Sequence, residues 1–576
     1  MGEKQLYDFV ITADESCMHN YNMSFMAGFL SCVPIDRLPK QVKEYIENRF
    51  FSTVPNNDGK AELAILSLRK IESYLTELGY NVVVCPPQLV QNFDAKVWLV
   101  STMDPFGIGP ATTTMVGLAG GKEPFNKYFF ERLIGKIRER SNAPIIAGGP
   151  GVWEFDLFKE EQARMNINCV FTGAVESAPR EFWQSILEGR VPEKYHNIHV
   201  MRPDPYPIIG TSFWGMVEIS RGCGRGCQFC DMELMSGFKW IPKEFIIKEA
   251  ELNAESPYTD TITLLSEDTL RYGTAVGEWK PNGKINELCK ELVKFGKPLS
   301  FTHCCLATAL ANPRVTEEFS EISGLSEKRM TGFQTGIESG SPRIIARYMV
   351  GKLKPWKPED WPEVVEQGMA VMIDNYIIPH CTIVMGLPEE TPDDTVKTIE
   401  LIDRLQGYPS LILPLFFVPL SVIKDRPFVA DMLSSEQRDL LIASARHTAK
   451  WAQRLPNWSG SLGLKDKIVF TAGARYCFDF METLKTGEKW DMTKMLSAVM
   501  KASLAATWDH MRHRGQKLEY WNKTKRQYPV VERISQMRAM PMIASMQADR
   551  PPGSGCGCGM GGTANNLMAE NLSKGL

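Results

Sequence analysis

The sequence predicts an α/β protein with two successive parallel strand–helix units and a mostly helical region behind them. Three observations carry this. Residues 1–205 alternate short apolar runs with stretches of helical periodicity. After a proline-rich break at Arg202-Pro-Asp-Pro-Tyr-Pro207, the alternation starts again and runs through six further strand-like segments. From about residue 431 the strand pattern stops. Strand–helix alternation of this kind builds parallel sheets with helices packed on them.

In the first unit, residues 9–13, 82–84, 97–101, 145–149 and 170–173 read as strands. Residues 61–78 read as a helix on the spacing of Leu63, Leu66, Ile71, Leu75 and Leu78, closed by Gly79. Residues 129–140 read as a second helix. These elements suit a doubly wound, Rossmann-like sheet, and such sheets bind ligands at the carboxyl ends of their strands. Those ends carry Ser101-Thr-Met-Asp-Pro-Phe-Gly107, Gly148-Gly-Pro-Gly151 and Thr172-Gly-Ala-Val-Glu176. Small residues there would let a large flat ligand approach the backbone.

In the second unit, residues 206–430, the predicted strands are 217–220, 261–265, 299–302, 332–338, 380–386 and 413–417, with helices at 243–253, 285–294 and 392–405 among those between them. Six such units suit a partial (β/α)6 barrel, in which chemistry gathers at the carboxyl ends of the strands. The helical region takes in residues 431–548, with a capped start at Ser435 and a helical stretch at 493–513. Residues 549–576 form a glycine-rich tail with Cys556 and Cys558, a composition that cannot build a packed core. That thiol pair could bind metal, accept electrons or have no structural role.

Composition narrows the function classes. The chain has 576 residues, 44% hydrophobic and 23% charged, as in ordinary globular proteins. A net charge of −3 gives no polyelectrolyte reason to bind nucleic acid. No apolar run reaches the about 20 residues that cross a bilayer; the run at 411–420 is broken by Pro414 and Pro419. The 14 cysteines lack a secretory leader and a disulfide pattern, which fits a cytoplasmic protein with reduced thiols.

The most telling cysteines are Cys223, Cys227 and Cys230, in Ser220-Arg-Gly-Cys-Gly-Arg-Gly-Cys-Gln-Phe-Cys-Asp231, directly after the first predicted barrel strand. Three thiolates suit a [4Fe–4S] cluster with one iron left open. Half of a zinc site is the weaker reading, since zinc takes four ligands and no partner CxxC lies nearby. The CxxxCxxC run resembles the signature of the radical S-adenosylmethionine (SAM) family. That resemblance implies an open iron that chelates SAM and a reduced cluster that cleaves it to a 5′-deoxyadenosyl radical. Phe229 stands where the family motif has its aromatic. Gly336-Ile-Glu-Ser-Gly-Ser341 and Gly386-Leu-Pro-Glu-Glu-Thr391 resemble later family motifs, as does Ser266-Glu-Asp268. The resemblance implies SAM contacts at Phe229, Ser266, Glu267, Glu338 and Ser339. His303-Cys-Cys305, after the third strand, reads either as substrate-facing or as core.

With the unit before it, the chain resembles cobalamin-dependent radical SAM enzymes. The resemblance implies cobalamin on the N-terminal strand ends, contacted by Asp104, Pro105, Phe106, Gly107, Gly148, Gly149, Pro150, Gly173 and Glu176. The DxHxxG motif that supplies an axial histidine in other cobalamin proteins is absent. The activity implied is that of a C-methyltransferase acting on an unactivated carbon, in the direction of archaeal-type enzymes that methylate glutamine or arginine in a protein. An external electron donor such as ferredoxin or flavodoxin and a protein or peptide substrate are the expected partners; nucleic acid and membrane are not. Ring closure or rearrangement without methylation is the alternative within enzymes. A corrinoid or Fe–S sensor is the alternative outside them.

Overall fold

The computed structural model describes residues 5–19, 25–197, 206–230, 238–420, 423 and 425–452. The helical stretch expected at 493–513, most of the expected helical region, and Cys556 and Cys558 lie outside the described residues.

The first unit is a six-stranded parallel sheet. Its strands are β1 (Leu6–Ala13), β2 (Val82–Val84), β3 (Asp94–Ser101), β4 (Ile145–Gly148), β5 (Cys169–Thr172) and β6 (Lys194–His196), in spatial order β2-β1-β3-β4-β5-β6. Phe9, Val10 and Ile11 of β1 are fully buried, as expected for a parallel strand covered on both faces. The helices are α1 (Lys40–Phe50), α2 (Leu66–Glu77), α3 (Pro110–Ala119), α4 (Phe125–Arg138), α5 (Lys159–Arg164) and α6 (Arg180–Leu187). Helices α2 and α6 pack Leu68, Leu75 and Trp183 with Phe9 and Ile11, and α4 packs Phe130 and Leu133 with Val10 and Val100. Gly79 ends α2 as the spacing predicts: Tyr80 N–H donates to Leu75 O at 3.1 Å and Gly79 N–H to Thr76 O at 2.8 Å. The edge strand β6 is absent from the sequence reading because Lys-Tyr-His has no apolar run. Tyr195 stacks on Phe171 of β5, with ring centroids 4.7 Å apart, and that contact seats it.

The second unit has six strands in chain order: β7 (Met216–Glu218), β8 (Ile262–Leu265), β9 (Leu299–Phe301), β10 (Thr331–Glu338), β11 (Ile377–Met385) and β12 (Leu411–Phe416). They form two parallel three-stranded ladders, β7-β8-β9 and β10-β11-β12. A single parallel bridge between His303 and Gln334 joins them, with Gln334 N–H donating to Thr302 O at 2.7 Å. The expected six-unit parallel arrangement is therefore present. Its helices are α7 (Lys243–Glu255), α8 (Lys284–Leu292), α9 (Leu306–Ala311), α10 (Pro313–Ile322), α11 (Pro342–Tyr348), α12 (Trp361–Asp374) and α13 (Pro392–Arg404). Helix α14 (Ser435–Ala452) then packs beside β12, where Thr448 Oγ1 donates to Ile412 O at 2.7 Å.

The N-terminal unit touches the barrel at both of its ends. Leu63–Ala64, ahead of α2, pairs in parallel with Thr211–Ser212, just before β7. Helix α3 lies on the last strand, where Thr114 Oγ1 accepts the Phe416 N–H at 2.7 Å. The N-terminal unit thus contacts the barrel both ahead of its first strand and on its last.

Candidate functional site

The loop that carries Cys223, Cys227 and Cys230 leaves the carboxyl end of β7. Ser220–Arg221 pairs antiparallel with Lys239–Trp240 and closes the base of the loop. Gly222, Gly224 and Gly226 take φ of 66°, 67° and 67°, left-handed values that side chains resist. Alternating glycines therefore coil the chain tightly between the thiols. Cys227 is buried, and Cys223 and Cys230 are half-buried. Burial pushes the Cys227 thiol up to about 11, with Lys352 pulling the other way.

A buried cationic network lies behind this loop, and the sequence reading missed it. Arg225, between the first two cysteines, donates to Asp268 Oδ2 through Nε (3.1 Å) and Nη2 (2.9 Å). It also donates to Thr308 Oγ1 at 2.5 Å and to the carbonyls of Gly351 and Lys352. Arg271 lies 3.5 Å from the same Asp268 oxygen and donates to Cys223 O at 3.0 Å. The Trp279 ring faces both guanidinium groups, with centroids 5.0 and 4.5 Å away. Burial alone would raise the Asp268 carboxyl; Arg225 and Arg271 outweigh it and hold it below its ordinary range. Arg225, between two cluster cysteines, was in plain view, but nothing in the sequence ties it to Asp268 or Thr308.

Arg225, Arg271 and Lys352 give this pocket positive charge, which suits three thiolates and an anionic iron–sulfur group. Among the described residues no three His, Cys, Asp or Glu side chains gather around one point. A cluster does not require that, because each thiolate binds a different iron.

The residues expected near SAM divide into two groups. Glu338, at the end of β10 with φ 63°, accepts from Lys352 Nζ at 2.6 Å and from Thr382 Oγ1 at 3.2 Å. Lys352 in turn acts on Cys227, so Glu338 belongs to the cluster surroundings. Phe229 packs half-buried against the barrel core, and Glu267 keeps partial exposure. Ser266 and Ser339 are committed inside the fold. The Ser266 hydroxyl meets Ser220 Oγ at 2.6 Å, and the Ser339 hydroxyl accepts the Ser341 N–H at 3.1 Å. Of the His303 run, Cys304 and Cys305 are buried: the Cys304 thiol donates to Asp268 Oδ1 at 3.6 Å and the Cys305 thiol to Lys352 O at 3.3 Å. They belong to the packing behind the cluster loop.

At the N-terminal strand ends the expected residues also divide. Asp104, Pro105, Phe106, Gly107 and Glu176 are buried, whereas Gly149 and Pro150 are exposed and Gly148 and Gly173 partly so. Asp104 organises the start of α3: it accepts the N–H groups of Ile108 (2.8 Å) and Gly109 (3.0 Å), Asn126 Nδ2 (2.6 Å) and the Thr112 hydroxyl. Gly149, with φ 102°, makes room for the chain itself, since a Cβ there would lie 2.6 Å from Thr102 O. The accessible surface of these turns is Met103, 59% exposed, with Gly149 and Pro150 and, in part, Gly148 and Gly173. Met103 was not singled out from the sequence, because a lone methionine carries no pattern. His19, which follows β1, is buried against Phe51.

The comparisons bear on the cluster side of this site. Residues 217–402 match the family model described as the radical SAM superfamily. That match implies a [4Fe–4S] cluster and SAM, and the matched residues run from β7 into α13 and include the three cysteines. A curated tRNA-2-methylthio-N(6)-dimethylallyladenosine synthase from Wolinella succinogenes is 27% identical over 200 residues, covering 34% of this chain and 43% of that protein. A ribosomal protein uS12 methylthiotransferase RimO from Clostridioides difficile is 24% identical over 206 residues, covering 35% and 43%. The chain thus spans less than half the length of these relatives. Among solved structures, the radical SAM methyltransferase TsrM from Kitasatospora setae, with cobalamin and a [4Fe–4S] cluster bound, aligns with a TM-score of 0.48 and 11% identity over 87% of this chain and 100% of that one. A likeness of that degree assigns no ligand to the N-terminal unit. Among the described residues no helix is long and apolar enough to cross a membrane.

Proposed function

We propose that this chain is a cobalamin-dependent radical SAM methyltransferase acting on an unactivated carbon, with a glutamine-type residue of a protein or peptide as substrate. One observation carries the reading. The cluster loop of the radical SAM domain sits directly beside the Glu176 turn at the N-terminal strand ends, joined to it through Arg221. Such a junction would bring two ligand faces together, as hydrogen removal and methyl delivery to the same carbon require.

When bound, the cluster with SAM supplies a radical that removes hydrogen from carbon, and the corrinoid supplies a transferable methyl group. Cys223, Cys227 and Cys230 would hold the cluster, with Arg225, Arg271 and Lys352 balancing its charge. Glu338 and Lys352 offer paired charges to the amino and carboxylate ends of SAM. Met103 and the turn at Gly148–Pro150 would offer an exposed, weakly polar surface to the corrinoid. An electron donor such as ferredoxin or flavodoxin would reduce the cluster. With substrate bound, the barrel and the N-terminal unit would have to keep water from the reacting carbon.

The test uses anaerobically reconstituted protein, SAM with a deuterated methyl group and a substrate deuterated at the target carbon. The expected result is substrate deuterium in 5′-deoxyadenosine, labelled methyl in the product, and one S-adenosylhomocysteine for each methyl transferred. S-Adenosylhomocysteine without deoxyadenosine would mean polar methylation. Deoxyadenosine with an unmethylated, rearranged product would mean ring closure or rearrangement, and neither by-product would mean a sensor. Methylthio transfer, named for the curated relatives, is the second reading. It would appear as a product heavier by a methylthio group.

A further inference from the structure

The Glu176 carboxylate points toward the radical SAM domain. Its Oε1 lies 2.6 Å from Arg221 Nη2. Arg221 donates to both oxygens of Glu218, through Nε at 2.7 Å and Nη2 at 3.0 Å. Glu218 lies 3.9 Å from Lys70 Nζ, and Lys70 pairs with Glu249. These groups form one continuous row of alternating charge. Its pairs Glu176–Arg221, Glu218–Lys70 and Lys70–Glu249 each cross the junction between the N-terminal unit and the barrel. The side chains are 5%, 17%, 12%, 8% and 1% exposed along the row.

Apolar packing would hold two units together with less desolvation than a row of buried charges. What a charged row adds is register, because any sliding of one unit over the other strands a charge. Arginine suits the central place: its planar fork donates to both oxygens of Glu218 while its charge also faces Glu176. Arg221 also lies two residues before Cys223, in the short ladder with Lys239–Trp240 that closes the base of the cluster loop. The strand-end turn after β5 and the cluster loop are thereby fixed to one side chain.

We propose that Arg221 is a positioning residue that locks the cluster loop to the Glu176 turn and sets the separation between the two ligand faces. This deepens the proposed function and rests on it for the identity of the ligand over the N-terminal strand ends; the lock itself rests on the ion pairs. Glu176 then serves the junction rather than the ligand. A disturbance at either end of the lock must reach the other.

The experiment uses the full chain with its cluster reconstituted and no corrinoid, and compares Glu176→Gln, Arg221→Met, Arg221→Lys and the Glu176→Gln/Arg221→Met double variant. In hydrogen exchange, Glu176→Gln should speed amides around residues 216–223, and Arg221→Met those around 172–178, each by roughly tenfold, with β1 and β3 unchanged. The double variant should be no faster than Arg221→Met. Iron content should hold in all four, while the paramagnetic resonance spectrum of the reduced cluster with SAM shifts in both single variants and shifts less in Arg221→Lys. Exchange unchanged at the far end, or additive in the double variant, would overturn the proposal. So would corrinoid affinity, titrated separately, that falls in Glu176→Gln but not in Arg221→Met, since Glu176 would then touch the ligand. If the unaltered chain binds no corrinoid, the proposed function fails while the exchange result stands.

Discussion

Cys227 is the most enclosed of the three thiols, and its chemistry depends on what replaces its proton. Unliganded, its burial favours the neutral thiol; ligated, it must be a thiolate, and Arg225 and Lys352 lie close enough to compensate. Cys227→Ala is expected to lower iron content and abolish 5′-deoxyadenosine formation, and unchanged deoxyadenosine production would refute the cluster assignment. Gly336 tests the other wall. A Cβ at this position would strike the Glu338 carboxylate and the Lys352 ammonium. Gly336→Ala should break that pair, weaken SAM binding about tenfold in an equilibrium titration, and cost about 1–3 kcal/mol by overpacking. The cysteines and the Glu338 strand end were legible in the sequence because their spacing or their place after a strand sets them apart. Lys352 and the pairing of Asp268 with Arg225 were not, since only the barrel brings residues 225, 268, 308 and 352 together.

The strands were legible as elements because parallel strands buried on both faces need apolar runs, as in Phe9-Val-Ile11. Strand β6 was not, since an edge strand can be polar when one aromatic stack seats it. Helix α2 shows a different limit: the spacing found its apolar stripe and its Gly79 stop, but gave no sign that Arg69 and Lys70 would be enclosed. Both are buried because the barrel covers that side. Just past the end of β1, burial pushes Asp14 from 3.8 up to about 7, with Glu15 adding to the rise and the Ser16 N–H and hydroxyl opposing it. Its pKa is higher folded than unfolded, so the folded chain binds more protons between these values. The contribution of this carboxyl to stability therefore falls as pH rises from about 4 through about 7 and levels off above. Glu390, pushed from 4.5 to about 7 by burial, shares the direction. Asp14→Asn should remove this contribution, so that between pH 5 and 7 the melting temperature falls less, or rises more, than in the unaltered chain. An unchanged slope would mean that Asp14 is ionised in the fold.

At the scale of the whole molecule, part of the junction between the N-terminal unit and the barrel is held by buried ions. Lys70 of α2 pairs with Glu249 of α7, and Glu249 Oε1 also accepts the Ile208 N–H at 3.2 Å. Removing one partner leaves the other buried without compensation. Lys70→Met leaves Glu249 with a single backbone donor, and Glu249→Leu leaves Lys70 with Glu218 alone, 3.9 Å away. Each single change should cost about 3–5 kcal/mol in denaturant unfolding of the full chain, the range for a broken buried pair. The double variant replaces the pair with apolar side chains of similar size and strands neither charge. It should therefore cost less than either single change, because the net worth of a buried pair is small beside the penalty of leaving half of it. A double variant whose loss equals the sum of the two singles would show that the residues act independently. Restored stability in the double variant, together with altered spectra of the reduced cluster, would show that the charges at this junction serve alignment more than adhesion.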